Sequence, residues 1–154
     1  MKKIEIFTDG ACSGNPGKGG YGVILSYNGK RKELSEGFEV TTNNRMELLA
    51  AIKGLEALKE PCEVVLYSDS KYLIDAINKN WIDSWQKNGW KNSKKEPVKN
   101  RELFERLIEL LKIHSVEFSW VKGHDGHEEN ERCDFLATSA ASGENLSVDK
   151  DYVK

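Results

Sequence analysis

The chain has 154 residues, 38% of them apolar and 31% charged, and a formal net charge of −2. That length suits one folded unit with a sizeable core, the balance excludes a disordered chain, and no internal repeat breaks it up. The cysteines, Cys12, Cys62 and Cys133, are odd in number and widely spaced, which argues against a disulfide framework and fits a reducing compartment.

Met1-Lys2-Lys3 leads directly into a strand-like run with no apolar leader. No stretch approaches the roughly 20 apolar residues that span a bilayer, so the expected location is the cytoplasm, with no membrane contact. Residues 3–8 predict the first strand and residues 10–20 a Gly/Asn/Pro loop. Residues 21–27 and 32–38 predict two more strands joined by the hairpin signal Asn28-Gly29. Thr41-Thr42-Asn43-Asn44 offers N-caps for a long amphipathic helix with Met46, Leu49, Ala50, Leu55 and Leu58 on its apolar stripe, stopped by Pro61. Residues 64–68 predict a fourth strand, and strand–helix–strand passage favours parallel pairing. Ser70 caps a helix to about residue 78 in this reading. A short aromatic helix over 81–88, a basic loop over 89–98 and a helix over 101–112 follow. Residues 115–120 predict the fifth strand, residues 123–128 a glycine- and histidine-bearing loop, and residues 128–141 the last helix. The polar tail, 142–154, is expected to be loosely held. The fold class is therefore α/β: a five-stranded mixed sheet, three antiparallel strands followed by parallel additions, flanked by helices.

Four carboxylates stand out against this frame. Asp9 follows the run Ile4-Glu5-Ile6-Phe7-Thr8, and Asp69 follows Val64-Val65-Leu66-Tyr67-Ser68. Glu47 lies in the opening turns of one helix and Asp134 inside another. Taken singly, each has a plain alternative: a turn for Asp9, a helix-entry cap for Asp69, dipole compensation for Glu47, a surface charge for Asp134. Taken together, they place acids at the carboxyl ends of neighbouring parallel strands, where α/β sheets gather functional groups. Converging carboxylates would make an oxygen-lined site for hard divalent cations.

Other chemistries fit poorly. Gly17-Lys18 is followed by Gly19 and precedes a strand, so the glycine-rich segment is not a P-loop. Ser13 has no triad partners, no Cys–His spacing supports a thiol nucleophile, and His124 and His127 lack a CxxC pair for structural zinc. From Lys87 to Arg101 there are six positive charges (Lys87, Lys91, Lys94, Lys95, Lys99 and Arg101) against Glu96 alone. Such a stretch on an otherwise acidic chain attracts phosphates, although a solvated lysine-rich loop would look the same.

Phe7-Thr8-Asp9-Gly10, Thr42-Asn43-Asn44-Arg45-Met46-Glu47, Ser68-Asp69-Ser70, Trp120-Val121-Lys122-Gly123-His124 and the run from Gly126 to Asp134 resemble type 1 ribonuclease H. The resemblance covers about residues 2–141, in the expected order, and is nearest the bacterial enzymes with their aromatic and basic insertion at about 81–100. It implies a ribonuclease H-like fold in a single domain over residues 1–141. It also implies a monomer that cuts the RNA strand of RNA–DNA hybrids endonucleolytically, leaving 5′-phosphate and 3′-hydroxyl ends. Asp9, Glu47, Asp69 and Asp134 would hold two Mg²⁺ ions, with Mn²⁺ a possible substitute, and His124 would assist proton transfer or product release. Cys12, Asn15, Asn43 and Asn44 would lie along the RNA strand. Thr42 and Asn100 would form a pocket for a DNA-strand phosphate, and Trp81 and Trp85 would flank that strand. No protein partner is implied.

Two departures bear on affinity. Val40 stands where bacterial relatives often carry arginine, and Gln86-Lys87-Asn88 is less basic than is common there, so weaker, salt-sensitive hybrid binding is expected. Another nuclease of this fold, or a non-catalytic hybrid-binding module, are the alternatives. The continuous Asn-Asn-Arg-Met-Glu segment and the complete carboxylate set favour the enzyme.

Overall fold

The computed structural model describes residues 1–122, 128–150 and 152. Strands β1 (Lys2–Gly14), β2 (Gly17–Tyr27) and β3 (Lys30–Thr41) form an antiparallel meander. Strands β4 (Cys62–Ser68) and β5 (Ser115–Trp120) extend it in parallel, giving the order β3-β2-β1-β4-β5. Asn28 and Gly29 both adopt positive φ, 49° and 78°, which matches the right-handed twist of the β2–β3 hairpin.

Among the described residues there are five helices: α1 (Asn43–Glu56), α2 (Lys71–Asn78), α3 (Trp81–Lys87), α4 (Arg101–Ile113) and α5 (Glu128–Ala141). Strand alternation separates two cores. Ile6 faces a large cluster with Met46, Leu48, Leu66, Phe104 and Leu107, whereas Phe7 faces a small one with Ile24 and Cys133 beneath α5. Helix α1 is buried around most of its circumference rather than along one stripe, because the sheet covers one side and α4 another.

Two expectations are corrected. Residues 10–20 are not a loop: β1 and β2 remain paired out to Gly14 and Gly17, and only Asn15 and Pro16 turn the chain. Close packing explains the glycines as well as turning does. A Cβ on Gly20 would lie 2.6 Å from the Ala137 carbonyl oxygen of α5. Asp9 consequently lies inside β1, opposite Gly22, just beyond the last parallel pair, Phe7 and Tyr67.

The second correction concerns the tail. Ser147 bridges to the meander, its N–H donating to the Gly37 carbonyl at 2.8 Å and its carbonyl accepting from Glu39 N–H at 2.9 Å. Its hydroxyl donates to Glu36 at 2.8 Å, and Asp149 accepts from Thr41 and Arg45. Polar composition suggested a loosely held tail, but these polar groups are donors and acceptors that pair with β3 and α1.

Candidate active site

Three elements bring Asp9, Glu47 and Asp69 together. β1 carries Asp9, the inward face of α1 carries Glu47, and the turn from β4 into α2 carries Asp69. One carboxylate oxygen from each lies within 4.8 Å of the others, with Asp9 and Glu47 buried. Thr42 caps α1 by accepting from Arg45 N–H at 3.2 Å, and Ser70 caps α2 by accepting from Leu73 N–H at 3.2 Å. These caps fix where both helices begin, and so where the acids beside them point.

The backbone reinforces the convergence. Gly10 N–H donates to Glu47 Oε1 at 2.8 Å and to its own neighbour Asp9 Oδ1 at 3.0 Å. Ser68 Oγ donates to Glu47 Oε2 at 3.4 Å and accepts from Ser70 N–H at 3.0 Å. A Cβ at Gly10 would stand 2.7 Å from the Glu47 nitrogen, so only glycine lets β1 and α1 approach this closely. On the rim, Trp120 Nε1–H donates to the Asp69 carbonyl at 3.2 Å, with the Lys71 ammonium 5.0 Å from the indole centroid.

The electrostatics of the cluster suit a cation. Burial first, then the charges of Glu47, Asp69 and Asp134, push the Asp9 carboxyl up from its ordinary value. Burial and Asp69 push Glu47 up as well, against the pull of its hydrogen bonds from Asp9, Gly10 and Ser68. Among the described residues, no lysine or arginine forms an ion pair with these three acids. Buried carboxylates without cationic partners must bind protons or a metal, and oxygen donors suit a hard divalent ion. Asp134, half-buried on α5, stands outside the tight cluster, yet its charge reaches Asp9.

The remaining sequence-predicted residues divide into groups. Cys12 Sγ–H points at the Thr41 carbonyl, 3.4 Å away, and Asn15 Oδ1 accepts from Asn43 N–H at 3.2 Å. Asn43 and Asn44 are exposed at the start of α1. Asn15, Thr42, Asn44 and Asn100 share the lining of a cavity of about 650 Å³, together with Lys99 and Arg101. Val40 does not line it. Trp81 is exposed beside Lys79, whereas Trp85 is half-buried with its ring edge-on to Phe104, centroids 5.1 Å apart. Trp85 thus packs into the large cluster while Trp81 faces outward. His124 lies outside the described residues. Sequence reasoning assigned no role to Gly10, Ser68, Arg45 or Asp149. Arg45 did carry a signal: a cation in the first turn of a helix opposes the dipole and needs a nearby acid.

The sheet order and helical layers are those of the ribonuclease H-like fold. The chain superposes on LC9-RNase H1, a type 1 RNase H with the type 2 active-site motif, with a TM-score of 0.84 at 31% identity, covering 96% of this chain and 75% of that one. It also matches LC11-RNase H1, solved in complex with an RNA/DNA hybrid, with a TM-score of 0.64 at 26% identity, covering 90% and 96%. The RNase H family model matches residues 1–142, and the chain belongs to the ribonuclease H family. Relatives named Ribonuclease H occur in Desulforamulus reducens, 61% identical over 97% of this chain and 94% of the relative. Another, in Rippkaea orientalis, is 59% identical over 98% and 93%. Among the described residues, no helix is long and apolar enough to cross a membrane.

Proposed function

We propose that this chain is an endoribonuclease that hydrolyses the RNA strand of RNA–DNA hybrids by two-metal-ion catalysis, leaving 5′-phosphate and 3′-hydroxyl ends. The observation that carries the reading is the set of Asp9, Glu47 and Asp69 within 4.8 Å of one another, without cationic partners among the described residues. Family membership adds the substrate: LC11-RNase H1 has been crystallised on such a hybrid.

In this reading Asp9, Glu47, Asp69 and Asp134 would hold two Mg²⁺ ions, with Mn²⁺ as the substitute. Asp134 would serve, with Asp9, the metal on the side of the attacking water, and Glu47 and Asp69 would serve the one on the side of the leaving 3′-oxygen. The chemistry such ions would supply is activation of water and stabilisation of charge in an in-line displacement. Gly10 and Ser68 hold Glu47 in place for that task. His124 assists proton transfer or product release. Cys12, Asn15, Asn43 and Asn44 follow the RNA strand, whose 2′-hydroxyls are displayed in a wide minor groove. Thr42 and Asn100 take a DNA-strand phosphate, and Trp81, Trp85 and the lysines after them flank that strand. Residues 1–141 are taken as one catalytic domain, working as a monomer in the cytoplasm, with residues 142–154 as its tail.

The test offers labelled RNA–DNA hybrid, double-stranded RNA and double-stranded DNA, each with Mg²⁺, Mn²⁺ or EDTA, to the wild type and to Asp9→Asn. Cleavage confined to the hybrid's RNA, dependent on metal and lost in the variant, is expected. Metal-independent cutting, or equal cutting of double-stranded RNA, would overturn the proposal.

A further inference from the structure

Arg45 is 3% exposed and sits in the first turn of α1, where the helix dipole repels a cation. A buried guanidinium persists only when it is paired and fully hydrogen-bonded. Asp149, from the C-terminal tail, supplies the pairing in fork geometry: Nε donates to Oδ2 at 2.7 Å and Nη2 to Oδ1 at 2.9 Å. Oδ2 also accepts from the Thr41 hydroxyl at 2.7 Å, which locks the carboxylate against β3. Glu102 adds a single contact to Nη1 and is itself more exposed, 35% against 10% for Asp149. The orientation of the guanidinium is therefore set chiefly by Asp149.

Arg45 in turn organises both residues assigned above to the DNA-strand phosphate. Its Nη1 donates to Asn100 Oδ1 at 3.1 Å, which dictates which end of that amide is oxygen. The Asn100 NH₂ then has one hydrogen for Tyr72 Oη, at 3.2 Å, and a second to offer an anion. The Arg45 backbone N–H occupies an acceptor site of Thr42 Oγ1, leaving the Thr42 hydroxyl to donate. A phosphate needs donors: the Arg45 guanidinium turns the Asn100 amide so that it offers one, and the Thr42 hydroxyl supplies another. Thr42, Arg45 and Asn100 border the same cavity as Tyr152, whose ring centroid lies 5.8 Å from the guanidinium.

We propose that Asp149 is a positioning residue for the DNA-strand phosphate pocket, clamping Arg45 so that the Asn100 amide presents a donor beside the Thr42 hydroxyl. The inference rests on the reading of Thr42 and Asn100 given under Proposed function. The tail, beyond the carboxylate-bearing part of the fold, thus acts on substrate grip and leaves the chemical step alone.

The experiment uses the full chain and a short hybrid with one cleavable site, its DNA-strand phosphates replaced one at a time by neutral methylphosphonates. For the wild type, one replacement is expected to raise KM, identifying the phosphate held in the pocket. On the unmodified hybrid, Asp149→Asn is expected to raise KM about tenfold, the loss of a charge-assisted bond, with kcat unchanged. On the hybrid already lacking that phosphate charge, the variant should lose nothing further. An unchanged KM, or an equal loss on both hybrids, overturns the proposal, since a merely structural defect would not depend on one phosphate. Absence of any sensitive phosphate in the wild type overturns the pocket itself. Melting curves set an assay temperature at which both chains are folded. Should Asp149→Asn not fold, Arg45→Lys, which keeps the charge and loses the fork, is expected to show the same coupling.

Discussion

Asp9 and Glu47 share a hydrogen bond between two carboxyls that both titrate above their ordinary values, because burial and neighbouring acids disfavour charge. The unfolded chain ionises these groups near their ordinary values of 3.8 and 4.5, while the folded chain keeps its protons to higher pH. The stability this pair contributes is full below about pH 4, near the unfolded carboxyl values, and is lost as pH rises through the folded values. In EDTA, Asp9→Asn removes a carboxyl that folding forces to stay protonated at a cost that grows with pH. The expected result is a higher melting temperature than wild type at pH 8 and a smaller difference at pH 4 in EDTA, with no cleavage when Mg²⁺ is supplied. A variant that melts earlier at pH 8 would sink the clustered-carboxylate picture. Gly10→Ala tests the same site sterically. Its Cβ would meet the Glu47 nitrogen at 2.7 Å, a clash that destabilises by about 1–3 kcal/mol. Melting should fall by several degrees and cleavage should fall by far more than the folded fraction explains. Activity tracking only the folded fraction would mean that Gly10 does not position Glu47.

At the level of elements, the segment between α3 and α4 combines basic charge with backbone held in the left-handed region. Trp90, Lys95 and Asn100 have φ of 61°, 62° and 63°. Asn92 organises the turn, its Oδ1 accepting from Lys94 and Glu96 N–H and its carbonyl accepting from Lys95 N–H at 2.9 Å. Lys95 is exposed, so its side chain offsets nothing of the conformational cost. Lys95→Gly should stabilise by about 1 kcal/mol, raising the melting temperature by about 2–4 °C. A calorimetric scan with no rise would place the strain elsewhere in the turn. Asn100, in the same region of φ, is different: its amide is tied to Arg45 and Tyr72, so the backbone cost there secures a pocket wall.

For the whole molecule, the charge distribution decides how a polyanion is held. Net charge is −2, yet residues 87–101 form a basic stretch. Binding to a hybrid should therefore weaken as salt rises, with a slope that counts neutralised phosphates. Val40 is half-buried in β3, two residues before Thr42, and brings no charge to that end of the strand. Val40→Arg is expected to tighten binding and steepen the slope of log K against log salt by about one. An unchanged slope, read by titration at three salt concentrations, would remove position 40 from the DNA-strand contact.

The strand and helix order was legible because periodicity, caps and breakers are local: Ser70, Asn28-Gly29 and the alternation through Ile6 and Phe7 act within a few residues. The acids were legible as candidates for the same reason, each lying at a strand end or in a helical pattern. Two local signals misled. Glycine density over 10–20 read as a loop because glycine frees the backbone, whereas here its missing side chain lets α5 lie on the sheet. The polar tail read as loosely held because its partners, Gly37, Thr41 and Arg45, are over a hundred residues away in sequence. The sequence by itself determined which elements form and which residue types could bind a cation. Only the tertiary structure decided that Asp9, Glu47 and Asp69 meet within 4.8 Å, that Gly10 holds two of them, and that Asp149 clamps Arg45. Those relations depend on distances between distant segments, which sheet register and helix docking set and local patterns do not encode.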